Sequence, residues 1–198
     1  MKITTNLTEL NHRYNLGLSE DFTETKDEFY GDYNCMGFAL GIYNWEEIDV
    51  YGYGEEYIGD DEDGCGEYED REPDIDILAE AVDEVLYCSD RIVTYCNHED
   101  EETSIMYPHI RFLGYLSDHS EVYYNKQLEG SEYLMAMRLA SDDFHFARKM
   151  KDGVWYHKPG CLEIESMQYE DLSDIDNWRG RYYGDIAMFA VTPTKEAV

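Results

Sequence analysis

Asp143-Phe144-His145-Phe146-Ala147-Arg148-Lys149-Met150-Lys151-Asp152-Gly153-Val154-Trp155-Tyr156-His157 is the stretch on which the reading of this chain turns. Two runs rich in aromatic and β-branched residues flank Lys151-Asp152-Gly153, a pattern that predicts two antiparallel strands and a tight turn. The length of the turn decides what the hairpin presents. With a two-residue Asp152-Gly153 turn, His157 pairs with Arg148 and the two histidines fall on opposite faces. With a three-residue loop and Gly153 in the left-handed conformation, Met150 pairs with Val154, His157 pairs with Ala147, and both imidazoles share one face. The second register is the expectation.

Further strands are read at 91–96, 110–116, 132–139 and 186–192, all short aromatic and β-branched runs. Helical signals lie upstream of them. Ile75, Leu78, Val82, Val85 and Leu86 recur at helical spacing behind Pro73 and Asp74, which suit a helix start. Tyr33-Asn34-Cys35-Met36-Gly37-Phe38-Ala39-Leu40-Gly41 reads as a loop entering a helix, with Asn34 as N-cap and Cys35 as the first helical residue. Helices first and a sheet afterwards is the α+β arrangement, with the N-terminal helices packed on an antiparallel sheet.

The chain has 198 residues, 43% apolar and 15% aromatic, enough for a single domain over 1–198 that buries roughly 70% of its unfolded surface. Fifteen Lys and Arg against forty-five Asp and Glu give a formal charge of -30. Such a surface repels phosphates and anionic lipid, so neither direct nucleic-acid binding nor a membrane is expected. Nineteen tyrosines argue against a disordered acidic tail. The charge is densest in Glu46–Asp76, around Asp60-Asp61-Glu62-Asp63-Gly64-Cys65-Gly66-Glu67, which reads as an exposed acidic loop or insertion. Met1–Asp21 lacks the pattern of a secretory signal, and five irregularly spaced cysteines read as reduced thiols; both point to the cytoplasm.

A cysteine attacks as thiolate, and its ordinary pKa near 8.5 must be lowered by a helix start, an imidazolium, or both. Cys35 sits at a predicted helix start. The dipole there is worth only about 0.3–1 kcal/mol, so a histidine must supply most of the activation. His12, His98, His109 and His119 lie in polar or loop-like surroundings, whereas His145 and His157 occupy the hairpin.

Asn34-Cys35-Met36-Gly37-Phe38, followed by two histidines twelve residues apart on adjacent strands, resembles the NlpC-like branch of the papain-fold cysteine peptidases and amidases. The stretch from Asp143 to Arg148 with Asp152 to Gly160 also resembles one that recurs in bacterial and phage proteins. The resemblance covers about a quarter of the chain. It implies a papain-like fold with Cys35 as nucleophile, His145 as base and His157 as the residue that orients it. The implied reaction is acyl transfer on a peptide, protein or amide substrate, basic by charge complementarity, with no cofactor and no metal. The chain departs from the family pattern at Asn34, where aspartate is usual, at Met36, where a small residue is usual, and in its long Cys35–His145 separation.

Other readings compete. Cys88, Cys96 and His98 match no CxxC-type zinc spacing, and a calcium loop through Asp61, Asp63 and Asp70 would begin at Gly59, which has no ligand side chain. A buried cysteine is also an ordinary core residue. The acidic composition fits a different class of function, a small binding or inhibitor protein that imitates nucleic acid and occupies a basic partner surface.

Overall fold

The computed structural model describes residues 33–42, 55–60, 66–70, 75–96, 102–140, 143–160, 162, 164–180 and 183–193. In chain order the elements are helix α1 (Cys35–Leu40), strands β1 (Glu55–Asp60) and β2 (Gly66–Asp70), helix α2 (Ile75–Tyr87), strands β3 (Ile92–Cys96), β4 (Glu102–Met106) and β5 (His109–Tyr115), helix α3 (Glu121–Asn125), strands β6 (Tyr133–Leu139), β7 (Phe144–Lys149), β8 (Trp155–His157) and β9 (Glu165–Ser166), a 3-10 turn at Ile175–Trp178, and β10 (Tyr183–Thr192). The class is α+β.

Six strands form the main sheet in the order β5-β10-β6-β7-β8-β9, and every neighbouring pair is antiparallel. The last strand of the chain therefore runs between β5 and β6, where its alternating Ile186, Met188 and Ala190 point one way and Ala187, Phe189 and Val191 the other. A strand buried on both faces needs apolar residues at consecutive positions, and 186–191 supplies six. Within 46–76, read as an exposed acidic loop or insertion, the described residues 55–60 and 66–70 form the antiparallel β1–β2 hairpin, with Tyr57 opposite Tyr68. Strands β4 and β9 were likewise not anticipated.

The two faces of the sheet bury different things. Helices α1 and α2 cover one face: Met36, Ala39, Leu40, Leu78, Val82 and Val85 pack on Met135, Met137, Leu139, Phe146, Phe189 and Val191. The opposite face carries Ala136, Ala147, Trp155, Ile186 and Met188, closed by Leu172 and Trp178. Among the described residues, no helix is long and apolar enough to cross a membrane.

Candidate active site

The β7–β8 hairpin forms in the expected register. Gly153 N–H donates to Met150 O at 2.9 Å, Met150 N–H donates to Val154 O at 2.9 Å, Gly153 has φ +84°, and Ala147 faces His157. His145 has the same parity as Ala147, so both imidazoles project from the face that bears Trp178. There His145 Nε2 lies 2.7 Å from His157 Nδ1, and the His145 ring meets the Trp178 ring edge-on at 6.0 Å between centroids.

Helix α1 starts at Cys35 as the sequence indicates. The Asn34 side chain accepts a hydrogen bond from Gly37 N–H at 3.1 Å, and Gly41, at φ +73°, ends the helix in the left-handed conformation. All six helical residues are buried. The helix delivers the Cys35 thiol to the backbone of β7. Its Sγ donates to Phe144 O at 3.8 Å and is acceptor for Phe146 N–H, the two backbone groups that flank His145.

Why a thiol fits there follows from strand geometry. Asp143 O accepts from Ala140 N–H on the β6 side, so the peptide groups of Phe144 and Phe146 point to the other edge. Along that edge β8 pairs only with Ala147, Arg148 and Lys149. The sulfur of Cys35 thus takes the position that a longer β8 would fill, and satisfies backbone groups that would otherwise be orphaned. The thiol approaches β7 from the helix side and the imidazoles project from the opposite side, with the uncovered edge at 144–146 between them.

Burial dominates the electrostatics. Cys35 is 4% exposed, and burial pushes its thiol up to about 12, outweighing the opposing hydrogen bond from Phe146 N–H and the charge of Lys158. Burial also holds His145 well below the ordinary histidine range, helped by His157 and Arg179, and takes His157 down to about 4, again with Arg179 contributing. At neutral pH the resting site therefore holds a neutral thiol and two neutral imidazoles. The expectation that helix start and histidine activate the thiol at rest is not met, because both groups are more deeply enclosed than the sequence discloses.

Residues absent from the sequence reading complete the surroundings. Lys158 is fully buried, and its Nζ donates to Tyr33 O at 2.5 Å and to Gly160 O. Arg138, the cross-strand partner of His145, packs against Trp178 and donates to Ser173 O at 3.3 Å. Neither Lys158 nor Trp178 carries a signal in the sequence that marks it as buried beside the site. A cleft of about 550 Å³ reaches His157 and is lined by Leu162, Glu165, Tyr169, Asp176 and Arg179 among others.

The remaining histidines and cysteines divide simply. His109 forms an exposed pair with Asp90 at 2.6 Å and His119 stacks on Tyr123; His12 and His98 lie outside the described residues. Neither Cys35 nor Cys88 is in a disulfide. Side-chain placement of Cys96 and the positions of Cys65 and Cys161 also lie outside the described residues, as do Asp61, Asp63 and the helix start at Pro73 and Asp74. Among the described residues, no three His, Cys, Asp or Glu side chains converge as metal ligands. No family model matches the chain, and no curated protein or solved structure gives a match.

Proposed function

We propose that the chain is a papain-like cysteine hydrolase, a peptidase or amidase of the NlpC-like kind, with Cys35 as nucleophile, His145 as base and His157 as its orienting partner. The observation that carries this reading is a helix-opening thiol bonded to the peptides on either side of His145, whose ring is bonded to His157. Thiol and imidazoles stand on opposite sides of β7, so in this reading the proton passes between Cys35 and His145 through a relay, a water or the substrate itself at the strand edge.

The reaction balances without a cofactor. The Cys35 proton passes by that relay to His145 as sulfur bonds to the substrate carbonyl carbon. The C–N bond then breaks, and the departing amine takes that proton. Water, giving its proton to His145, hydrolyses the thioester and restores the thiol. Since the thiol is neutral at rest, substrate binding must shift the proton within the enclosed site, and a dry site makes fixed dipoles effective at that moment. The cleft beside His157 suits an extended peptide or amide, and the charge of -30 favours a basic protein substrate in a cytoplasmic setting.

The same charge favours a second reading, an acidic binding or inhibitor protein, in which a buried thiol is only core. Treatment with 4-nitrophenyl acetate followed by intact-mass and peptide analysis separates the two. The hydrolase should release a burst of about one nitrophenolate per chain, with the acetyl group on Cys35 and none in Cys35→Ala. Acetylation confined to other residues would remove the hydrolase reading.

A further inference from the structure

On β6, beside the imidazole pair, the guanidinium of Arg138 is enclosed without being fully bonded. The residue is 9% exposed, and its Nη1 donates to Ser173 O at 3.3 Å, the one hydrogen bond its side chain makes among the described residues. Nε is buried and has no hydrogen-bond partner there. A guanidinium presents five N–H donors in a planar fork, and leaving buried ones unpaired costs stability. With Nη1 taken by Ser173, the edge formed by Nε and Nη2 is uncommitted, and that edge matches the two oxygens of a carboxylate.

Arg138 lines a cleft of about 610 Å³ between the start of α3, the 170–173 segment and the start of β10. Leu116, Val122, Leu172 and Ile186 give the cleft an apolar wall, and Glu170, Asp171 and Asp185 make its rim acidic. Two of these carboxylates are engaged locally. Asp185 accepts from Ser117 N–H at 3.1 Å, from the Ser117 hydroxyl and from Ile186 N–H at 2.7 Å, and its charge acts on Arg138 only through space. Asp171 accepts from Ser173 N–H at 2.9 Å and from its hydroxyl at 2.7 Å. A simple anion would be repelled by this rim. A carboxylate joined by an aliphatic stem to a cation suits the arginine, the apolar wall and the acidic rim together.

We propose that this cleft binds a basic amino acid, with its carboxylate on Arg138, its aliphatic stem along Leu116, Leu172 and Ile186, and its cationic end toward Glu170, Asp171 and Asp185. Free lysine or arginine offers this chemistry, and so does a lysine or arginine at the C-terminus of a peptide. The site goes beyond the hydrolase reading and does not rest on it, since it uses neither Cys35 nor either histidine.

The test is isothermal titration calorimetry of the intact chain at low ionic strength with 6-aminohexanoate, which carries the carboxylate, the stem and the ammonium alone. Hexanoate lacks the cation and cadaverine lacks the carboxylate, so each should bind at least about tenfold more weakly. Arg138→Met should lower the affinity for 6-aminohexanoate by about tenfold or more, and Arg138→Lys, which keeps the charge but not the fork, should recover only part of it. If the Arg138 variants do not fold, Glu170→Gln, at an exposed carboxylate on the rim, should still weaken binding by about twofold to threefold. Gly-Gly-Lys and its C-terminal amide separate the two sources. Binding of the free acid but not the amide assigns the site to peptide C-termini, and binding of lysine with exclusion of the tripeptide assigns it to the free amino acid. Cadaverine or hexanoate binding as tightly as 6-aminohexanoate, a folded Arg138→Met or Glu170→Gln protein with wild-type affinity, or no heat from any probe up to about 10 mM overturns the site. None of these outcomes alters what acetylation of Cys35 says about the hydrolase reading.

Discussion

The two faces of the main sheet are built on different terms. On the helix-covered face, Met135, Met137, Leu139, Phe146, Phe189 and Val191 give α1 and α2 an apolar bed, with Tyr133 donating to Ala39 O at 2.8 Å and Arg148 over the Tyr133 ring at its margin. On the other face, His145 and Arg138 are interleaved with Ala136 and Ala147 and stand against Trp178, with His157 alongside. The small alanines leave room that the larger polar side chains occupy. Buried polar groups cost stability unless satisfied, so a face carrying His145, Arg138 and His157 gives up packing energy that apolar side chains would supply. Cys35 stands at the border: its helix belongs to the first face, and its thiol reaches the edge beyond which the second begins.

If the faces differ in this way, their large side chains should differ in what they cost to remove. Phe146→Ala cuts into the apolar face beneath the helices and should destabilise the fold by about 3–5 kcal/mol, read by urea unfolding. His145→Ala, one residue away on the other face, should cost less, about 1–3 kcal/mol from leaving His157 without its partner. Equal losses would mean that the polar face is ordinary core.

Acid sharpens the same contrast. His157 is held neutral in the fold, its pKa lowered to about 4 by burial and then by Arg179, while an unfolded histidine titrates near its ordinary value of 6.5. Between those values the unfolded chain binds a proton that the native chain refuses, so stability present above pH 6.5 is lost as pH falls towards 4. The loss from pH 7 to pH 5 should be about 2 kcal/mol for this group, and His145, shifted the same way, adds to it. His157→Gln should shed that part of the dependence. Urea midpoints of the two proteins across this range decide it, and parallel curves would mean that His157 is not enclosed.

The smallest effect concerns the loop that assigns His157 to its face. Gly153 has φ +84° and no atom within 4 Å of where a Cβ would stand, so Gly153→Val meets only backbone strain. A cost of about 1–2 kcal/mol is expected from thermal unfolding, with the histidine pair intact. No cost would mean that the loop is free to adopt another register.

Much of this architecture could be read from local chemistry. The cap at Asn34, the helix at 75–87, six strand positions and the glycine-dependent loop are all decided by residues within a few positions of one another, and each formed as expected. Apart from the local partners in the β1–β2 and β3–β4 hairpins, what escaped depends on partners far apart in the chain. The insertion of β10 between β5 and β6 is invisible in its own composition. The Lys158–Tyr33 hydrogen bond spans 125 residues. The resting protonation of Cys35 was misjudged because a helix start is legible in sequence, whereas the depth at which it is buried is set by β7 and the residues around it.

The central claim is that thiol and imidazole pair act as one unit across the edge of β7. The direct test is the rate of Cys35 acetylation by 4-nitrophenyl acetate near neutral pH in the wild type, His145→Ala, His157→Ala and the double variant, each checked for folding. A unit loses its function when either part is removed: His145→Ala should slow acetylation by about a hundredfold or more, and adding His157→Ala should cost little beyond that, as groups acting together are not additive. Wild-type acetylation of Cys35 in a folded His145→Ala protein would contradict the account.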